Sequence, residues 1–260
     1  MTGLFVLLKS PLLVLCIFLL CACLFNAAAT ENKTKNKHIL PAFTAQYTVL
    51  HKSDPVGTAS RKLSYQKDGQ INYHYKTHVK WLIFSQTRKE TSILTINNNQ
   101  VTPQHYTYTR EGTGKDKRYE WRYNAVKNNA KDIERKREHT VDFSNNLQDK
   151  LSYHLQHRLN LIADAKKADI KKKKDYVYSV ISTSGSIKDY VYQYDGEEEL
   201  ILPYGLIKAV RFKREVKEKE RVTYAWFAPE LNYLLVKLYQ IKAGNSQFEA
   251  QLSNLEVTEK

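Results

Sequence analysis

From residue 30 onward the sequence contains no cysteine; Cys16, Cys21 and Cys23 all lie within the first 29 positions. Once those positions are removed, disulfides, thiolate metal sites and thiol catalysis are excluded. A folded domain must then rest on a buried core, and the remaining length suffices for one. Catalytic signatures are also missing. There is no GxSxG, HExxH or Ser-Lys pattern, and Glu197-Glu198-Glu199 is a run rather than a pair of separated carboxylates. Gly112-Thr113-Gly114-Lys115 resembles a fragment of a phosphate loop but lacks the full spacing and falls between strands, so it reads as a hairpin loop. His154 and His157, three apart on a predicted helix, have no cysteine near them and no carboxylate at a ligand spacing. They read as surface histidines, as do His74 and His78 on one strand face. No catalytic residue, cofactor or metal is expected.

The N-terminal apolar run, Pro11 to Phe25, is shorter than the roughly 20 residues that span a bilayer. It is preceded by Lys9 and followed by Ala27-Ala28-Ala29, the three parts of a secretory signal. Residues 1–29 are therefore expected to be a signal peptide cut between Ala29 and Thr30, which exports the chain from the bacterial cytoplasm. Two alternatives stay open. One is an uncleaved anchor. The other is a lipoprotein acylated at Cys23, since Leu20-Cys21-Ala22-Cys23 resembles a lipobox, although Cys21 departs from the usual residue there. Residues 30–40 are polar without period and read as a disordered leader.

The formal net charge is +14, and +13 without Lys9. For an exported chain this field points away from nucleic acid and toward anionic envelope polymers or lipid head groups, with peripheral membrane association as one consequence. The plainer reading is that dispersed lysines keep the protein soluble.

From residue 41 to 257 the pattern predicts one β-rich domain. Alternation marks strands at Phe43–Val49, Leu63–Tyr65, Tyr73–Val79, Ser92–Ile96, Tyr106–Tyr108 and Tyr119–Tyr123. Asp54–Gly57 and Asp68-Gly69 are expected turns, and Trp81 to Phe84 is a more fully apolar stretch. Lys127 to Glu138, highly charged, reads as a long hairpin tip or mobile loop. Leu147, Leu151, Leu155, Leu159 and Ile162 form a helix stripe, with Asn145 as the expected N-cap, Gln148 at the capping-box position, and Lys166 and Lys167 near the C-terminus. Strands resume at Tyr176–Val180 and Tyr190–Tyr194. Asp195-Gly196 and Pro203–Gly205 read as turns, and the late strands are joined at Gly244-Asn245. The expected fold is α+β and mostly antiparallel: a curved sheet or open barrel-like structure with one main helix mid-chain.

Eighteen tyrosines, many at every second position, are the most unusual feature. An aromatic face of this kind either lines a site for an apolar or glycan ligand or packs across strands. Tyr106, Tyr108, Tyr119, Trp121, Tyr123 and Trp226 are the candidate ligand-binding residues, the last requiring the sheet to curl. The expected function is non-catalytic binding of an amphipathic envelope ligand, lipid or glycan. The alternative is an envelope interaction or scaffold protein with a filled aromatic core.

Several motifs recur in a fixed order: Phe43 to Gly57, then Gln148–Ser152, Pro203-Tyr204-Gly205-Leu206 before Ala209-Val210-Arg211, and Tyr224–Pro229. In this order they resemble a family of exported bacterial proteins, domain of unknown function 3108, over about residues 41 to 257. Tyr233 to Val236 departs from it where the family tends to carry a proline. The resemblance implies a Gram-negative periplasmic setting and a β-rich fold, and carries over no activity and no catalytic residue. A fainter likeness, to periplasmic lipoprotein carriers, operates at fold level only.

Overall fold

The computed structural model describes residues 40–168, 170–171 and 175–258. The expected signal peptide, its cleavage point at Ala29 and Thr30, Cys23 and nearly all of the leader lie outside the described residues. The strands are β1 (Ala42–His51), β2 (Asp54–Tyr65), β3 (Ile71–Trp81), β4 (Phe84–Asn97), β5 (Gln100–Gly112), β6 (Lys117–Asn124), β7 (Asn129–Asp132) and β8 (Arg137–Thr140). The helix α1 (Ser152–Ala165) follows, and then β9 (Asp175–Ile181), β10 (Ile187–Leu202), β11 (Gly205–Val216), β12 (Arg221–Ala228), β13 (Leu234–Lys242) and β14 (Asn245–Thr258).

The fold is mostly antiparallel with one α-helix, as the alternation predicts. All fourteen strands form one sheet in the order β8-β7-β6-β5-β4-β3-β2-β1-β14-β13-β12-β11-β10-β9. Two meanders are thus joined where β1 pairs with β14, Phe43 opposite Val257 and Val49 opposite Ala250. The antiparallel ladder puts the turns after β1, β3, β5, β7, β9, β11 and β13 at one end of the sheet, the near rim. Those after β2, β4, β6, β10 and β12 lie at the far rim. The sheet curls until its two ends meet at the near rim: Arg135, after β7, donates to the Thr183 carbonyl, after β9, at 2.7 Å.

α1 closes the far rim. Gln156 accepts from Val101 N–H at 2.7 Å and donates to the Asn99 carbonyl at 2.9 Å, beside the β4–β5 turn. Arg158 donates to the Asn232 and Leu231 carbonyls at 2.7 and 3.1 Å, beside the β12–β13 turn. The helix is buried on two stripes. Leu151, Leu155 and Leu159 pack into the larger core with Phe43, Leu63, Leu94, Tyr106 and Trp121. Tyr153 and Leu161 pack into a second core with Tyr176, Tyr192, Phe212 and Phe227. Each such leucine stabilises the fold by roughly 1.5–3 kcal/mol relative to exposure.

Several expected boundaries are corrected. Helix α1 does not begin at Asn145, because Gln148 is held extended beside β9: its N–H donates to the Ser179 carbonyl and its carbonyl accepts from Ile181 N–H, both at 2.9 Å. Leu151 is the N-cap residue, and the turn before it is held by Asp149, whose Oδ1 accepts from Ser152 N–H at 2.7 Å while Ser152 Oγ accepts from Asp149 N–H at 2.9 Å, the reciprocal pattern of a capping box. Asp54–Gly57 belongs to β2 instead of a turn; the chain reverses at Lys52-Ser53, both at positive φ. Gly57 is needed for a different reason, since a Cβ there would sit 2.0 Å from the His78 carbonyl oxygen on β3. Asp195-Gly196 is a bulge inside β10, where pairing with β11 skips from Tyr194 to Glu197. Lys127 to Glu138 contains β7 and the start of β8, paired through Ala130 with His139 and Asp132 with Arg137. Trp81 to Phe84 is a two-residue hairpin turn at the near rim.

Candidate functional site

α1 packs across the far rim, and open apolar surface lies at the near rim. A groove of about 270 Å³ opens there, bordered by β3 and β4 on one side and β13 and β14 on the other, with β1 contributing between them. Its apolar lining is Val49, Val79, Phe84, Leu238, Phe248 and Ala250. Alternation explains why these residues converge. Val49 is on the face of β1 that carries Phe43, Ala45 and Tyr47 into the core, and Leu238 and Ala250 are direct cross-strand partners.

Polar groups gather toward the inner end. Tyr75, Gln86 and Arg88 line the groove, and Arg88 Nε donates to Gln86 Oε1 at 2.7 Å. Tyr75 stands between Arg61 on β2 and Glu90 on β4, its cross-strand partners. Arg61 is buried. It donates to the Tyr73 hydroxyl at 2.9 Å, and its guanidinium lies 5.2 Å from the Tyr75 ring centre, so a desolvated cation is held by a hydroxyl and a π face. Glu90 accepts from the Tyr106 hydroxyl at 2.7 Å, and burial pushes its carboxyl above the usual range. Burial likewise pushes the Tyr75 phenol up to about 12. Of the charged groups that line the groove, the Glu249 carboxylate is paired with the Lys237 ammonium at 3.0 Å, which leaves the Arg88 guanidinium to favour an anion.

The six aromatic candidates fall into two places. Tyr106 and Trp121 are directly paired across β5 and β6, as are Tyr108 and Tyr119, and Tyr123 follows along β6. Tyr106, Trp121 and Tyr123 are buried in the core that α1 covers, with Trp121 and Tyr123 stacked at 6.4 Å. Tyr108 and Tyr119 are half-buried, their rings 5.5 Å apart, beneath Lys150 and Arg135 respectively. Trp226 is on β12, apart from these five. It is buried, donates to Glu198 Oε1, and lies under the Lys237 ammonium at 4.9 Å. None of the six lines the groove. Sequence reasoning missed the groove residues because Val49, Val79 and Leu238 look like any other inward-facing strand residue.

His157 corrects another expectation: it is fully buried rather than at the surface. Its ring stacks on Tyr192 at 4.7 Å, meets Phe212 and Phe227 edge-on at 4.9 and 4.7 Å, and shares a 2.8 Å hydrogen bond between Nδ1 and the Tyr178 hydroxyl. The spacing Tyr153, His157, Leu161 was the available signal, a second stripe one turn at a time. His154 is half-buried, and burial lowers its basicity. His74 and His78 each contact a threonine on β4, Thr91 and Thr87, at 2.9 Å. Among the described residues no three His, Cys, Asp or Glu side chains are grouped to hold a metal ion, and no helix is long and apolar enough to cross a membrane. Glu197, Glu198 and Glu199 border a second, open cavity of about 480 Å³ with Lys208 and Glu230.

No curated protein matches the chain. Among solved structures, a β-barrel-like protein of domain of unknown function DUF1849 from Brucella abortus superposes with a TM-score of 0.53 and 11% identity, over 85% of this chain and 99% of that one. At that identity the likeness is one of fold. Residues 43–252 match the family described as protein of unknown function DUF3108, so with most of its length matched the chain belongs to that family.

Proposed function

We propose that this protein is a non-catalytic binding protein of the bacterial envelope, exported by residues 1–29, whose near-rim groove takes an anionic amphipathic ligand. One observation carries the reading: an apolar groove open to solvent and lined also by Arg88, while its lining carboxylate, Glu249, is paired with the Lys237 ammonium at 3.0 Å. Apolar walls with a few convergent polar groups are the usual make-up of a small-molecule site, and at about 270 Å³ the groove suits a single acyl chain better than a branched lipid or a glycan. In this arrangement an acid head group sits against Arg88, and the chain runs past Val79, Leu238 and Phe248.

Titration of the purified protein with a fluorescent fatty acid tests this. Saturable binding at micromolar concentration is expected. Ala250→Trp, which fills the groove, and Arg88→Glu, which reverses its charge, should each weaken binding about tenfold or more while leaving the circular dichroism spectrum unchanged. Absence of saturation, or binding indifferent to both substitutions, overturns the reading. The packing of Tyr106, Trp121 and Tyr123 under α1 favours a second reading, an envelope interaction protein without a small ligand, and that reading leads if fatty-acid and glycan probes both fail.

A further inference from the structure

The β3–β4 turn presents large apolar side chains to water. Ile83 is 97% exposed, Leu82 79% and Trp81 44%, and Phe248 beside them is 39% exposed. Leu82 also adopts φ +52°, the left-handed region that a bulky side chain rarely enters. The β4–β5 turn solves the same problem with Asn98 and Asn99 at φ 50° and 64°, residues that tolerate this conformation and water alike. In solution, then, Leu82-Ile83 is unfavourable both in backbone conformation and in exposure. Conformational cost retained at a surface position points to a contact made there.

This tip is braced as part of a larger patch. Thr113, in the β5–β6 loop, donates its N–H to the Ser85 carbonyl at 2.7 Å, and its Oγ1 accepts from Ser85 N–H at 2.9 Å. The neighbouring Gly112 is obligatory: it sits at φ +116°, and a Cβ would come within 2.2 Å of the Ser85 carbonyl oxygen. On the other side the His51 ring lies 4.6 Å from Trp81 and 5.7 Å from Phe248, and His51 Nδ1 lies 2.6 Å from the Gln247 carbonyl. Four hairpin tips thus hold Trp81, Leu82, Ile83 and Phe248 on one edge. Exposed Lys52, Lys80, Lys115, Lys117 and Lys242 surround them, against exposed Asp54, Glu111 and Asp116. An apolar wedge, a tryptophan beside it and an excess of lysines form the combination that seats a protein on an anionic bilayer.

We propose that the near rim docks on an anionic lipid bilayer, with Leu82 and Ile83 entering the acyl region, Trp81 at the head-group level and the lysines on the phosphates. This docking stands whether or not the groove binds a fatty acid, although Phe84 and Phe248 border both. The test is sedimentation of the purified protein with vesicles of phosphatidylcholine containing phosphatidylglycerol, and with vesicles of phosphatidylcholine alone. Binding is expected to the anionic vesicles, at least tenfold weaker to the neutral ones and weaker in high salt. The double variant Leu82→Asn/Ile83→Ser restores a conventional turn, so its melting temperature should equal or exceed that of the native protein. It should nevertheless lose vesicle binding at least tenfold and keep its fatty-acid binding. Lys80→Glu/Lys115→Glu should lose binding to the anionic vesicles selectively. Failure to sediment with anionic vesicles overturns the proposal, as does a double variant that binds like the native chain. So does self-association that the double variant abolishes in the absence of any vesicle binding, since a second copy would then be the occupant of the tip.

Discussion

Asp149 is buried and accepts three hydrogen bonds, from Leu151 and Ser152 N–H at 2.7 Å each and from the Ser92 hydroxyl at 2.5 Å. These favour the carboxylate, but burial outweighs them and pushes its pKa up to about 6, from 3.8 when exposed. Because the folded state holds the proton more tightly, this group's contribution to stability is complete below pH 3.8 and is lost as pH rises through about 6. The native protein should therefore gain stability relative to Asp149→Asn, on the order of 2–3 kcal/mol, as pH falls from 7 to below 4. Urea denaturation of both proteins across that range measures it, and a difference that is flat or of opposite sign refutes the assignment. The sequence pattern placed the cap at Asn145. What moves it past Asp149 is tertiary: Gln148 is engaged by β9, so the chain is free to turn helical only after it. His157 is a similar case, a polar ring whose surroundings are supplied by Tyr176, Tyr192, Phe212 and Phe227 from four strands that no local pattern links to it.

α1 is the element on which the interior depends, since it packs across the far rim and contributes side chains to both cores. Leu155 is 1% exposed at the centre of its stripe. Leu155→Ala should cost about 2–5 kcal/mol, read as a lowered denaturation midpoint at unchanged slope. A loss below about half a kcal/mol would mean that the helix is peripheral to the core. The stripe was legible because a 3.6-residue period survives in any context. Strands with apolar alternation were legible for the same reason. β7 and β8, reading NAKD and REHT, were not: with four residues each and almost no apolar side chains, they exist because β6 offers them a free ladder edge.

At the scale of the whole molecule, curvature is what leaves a groove at one end. A flat sheet of fourteen strands would expose both edges; here the turns after β7 and β9 touch, and Gln148 covers part of β9. The inward face then becomes an interior with α1 at one end and open space at the other. The proposed export adds one prediction at this scale. The intact mass of protein recovered from its native envelope should correspond to residues 30–260, whereas a diacylated N-terminal Cys23 would replace the cleaved-signal reading with a lipoprotein.

The sequence by itself determined the class of fold, because inward-facing residues must alternate along a strand and recur every three to four positions along a helix, whatever they finally touch. It determined the aromatic character of the interior and the absence of thiol chemistry after residue 29. Only the tertiary structure decided which aromatic residues are sealed and which apolar ones stay open. Tyr106 and Val79 obey the same alternation and are both buried, yet the first lies in the sealed core beside α1 while the second borders the open groove. That difference arises from where a helix that begins only at Ser152 comes to rest and from how far the sheet bends to receive it, and both are set by packing between parts of the chain that are distant in sequence.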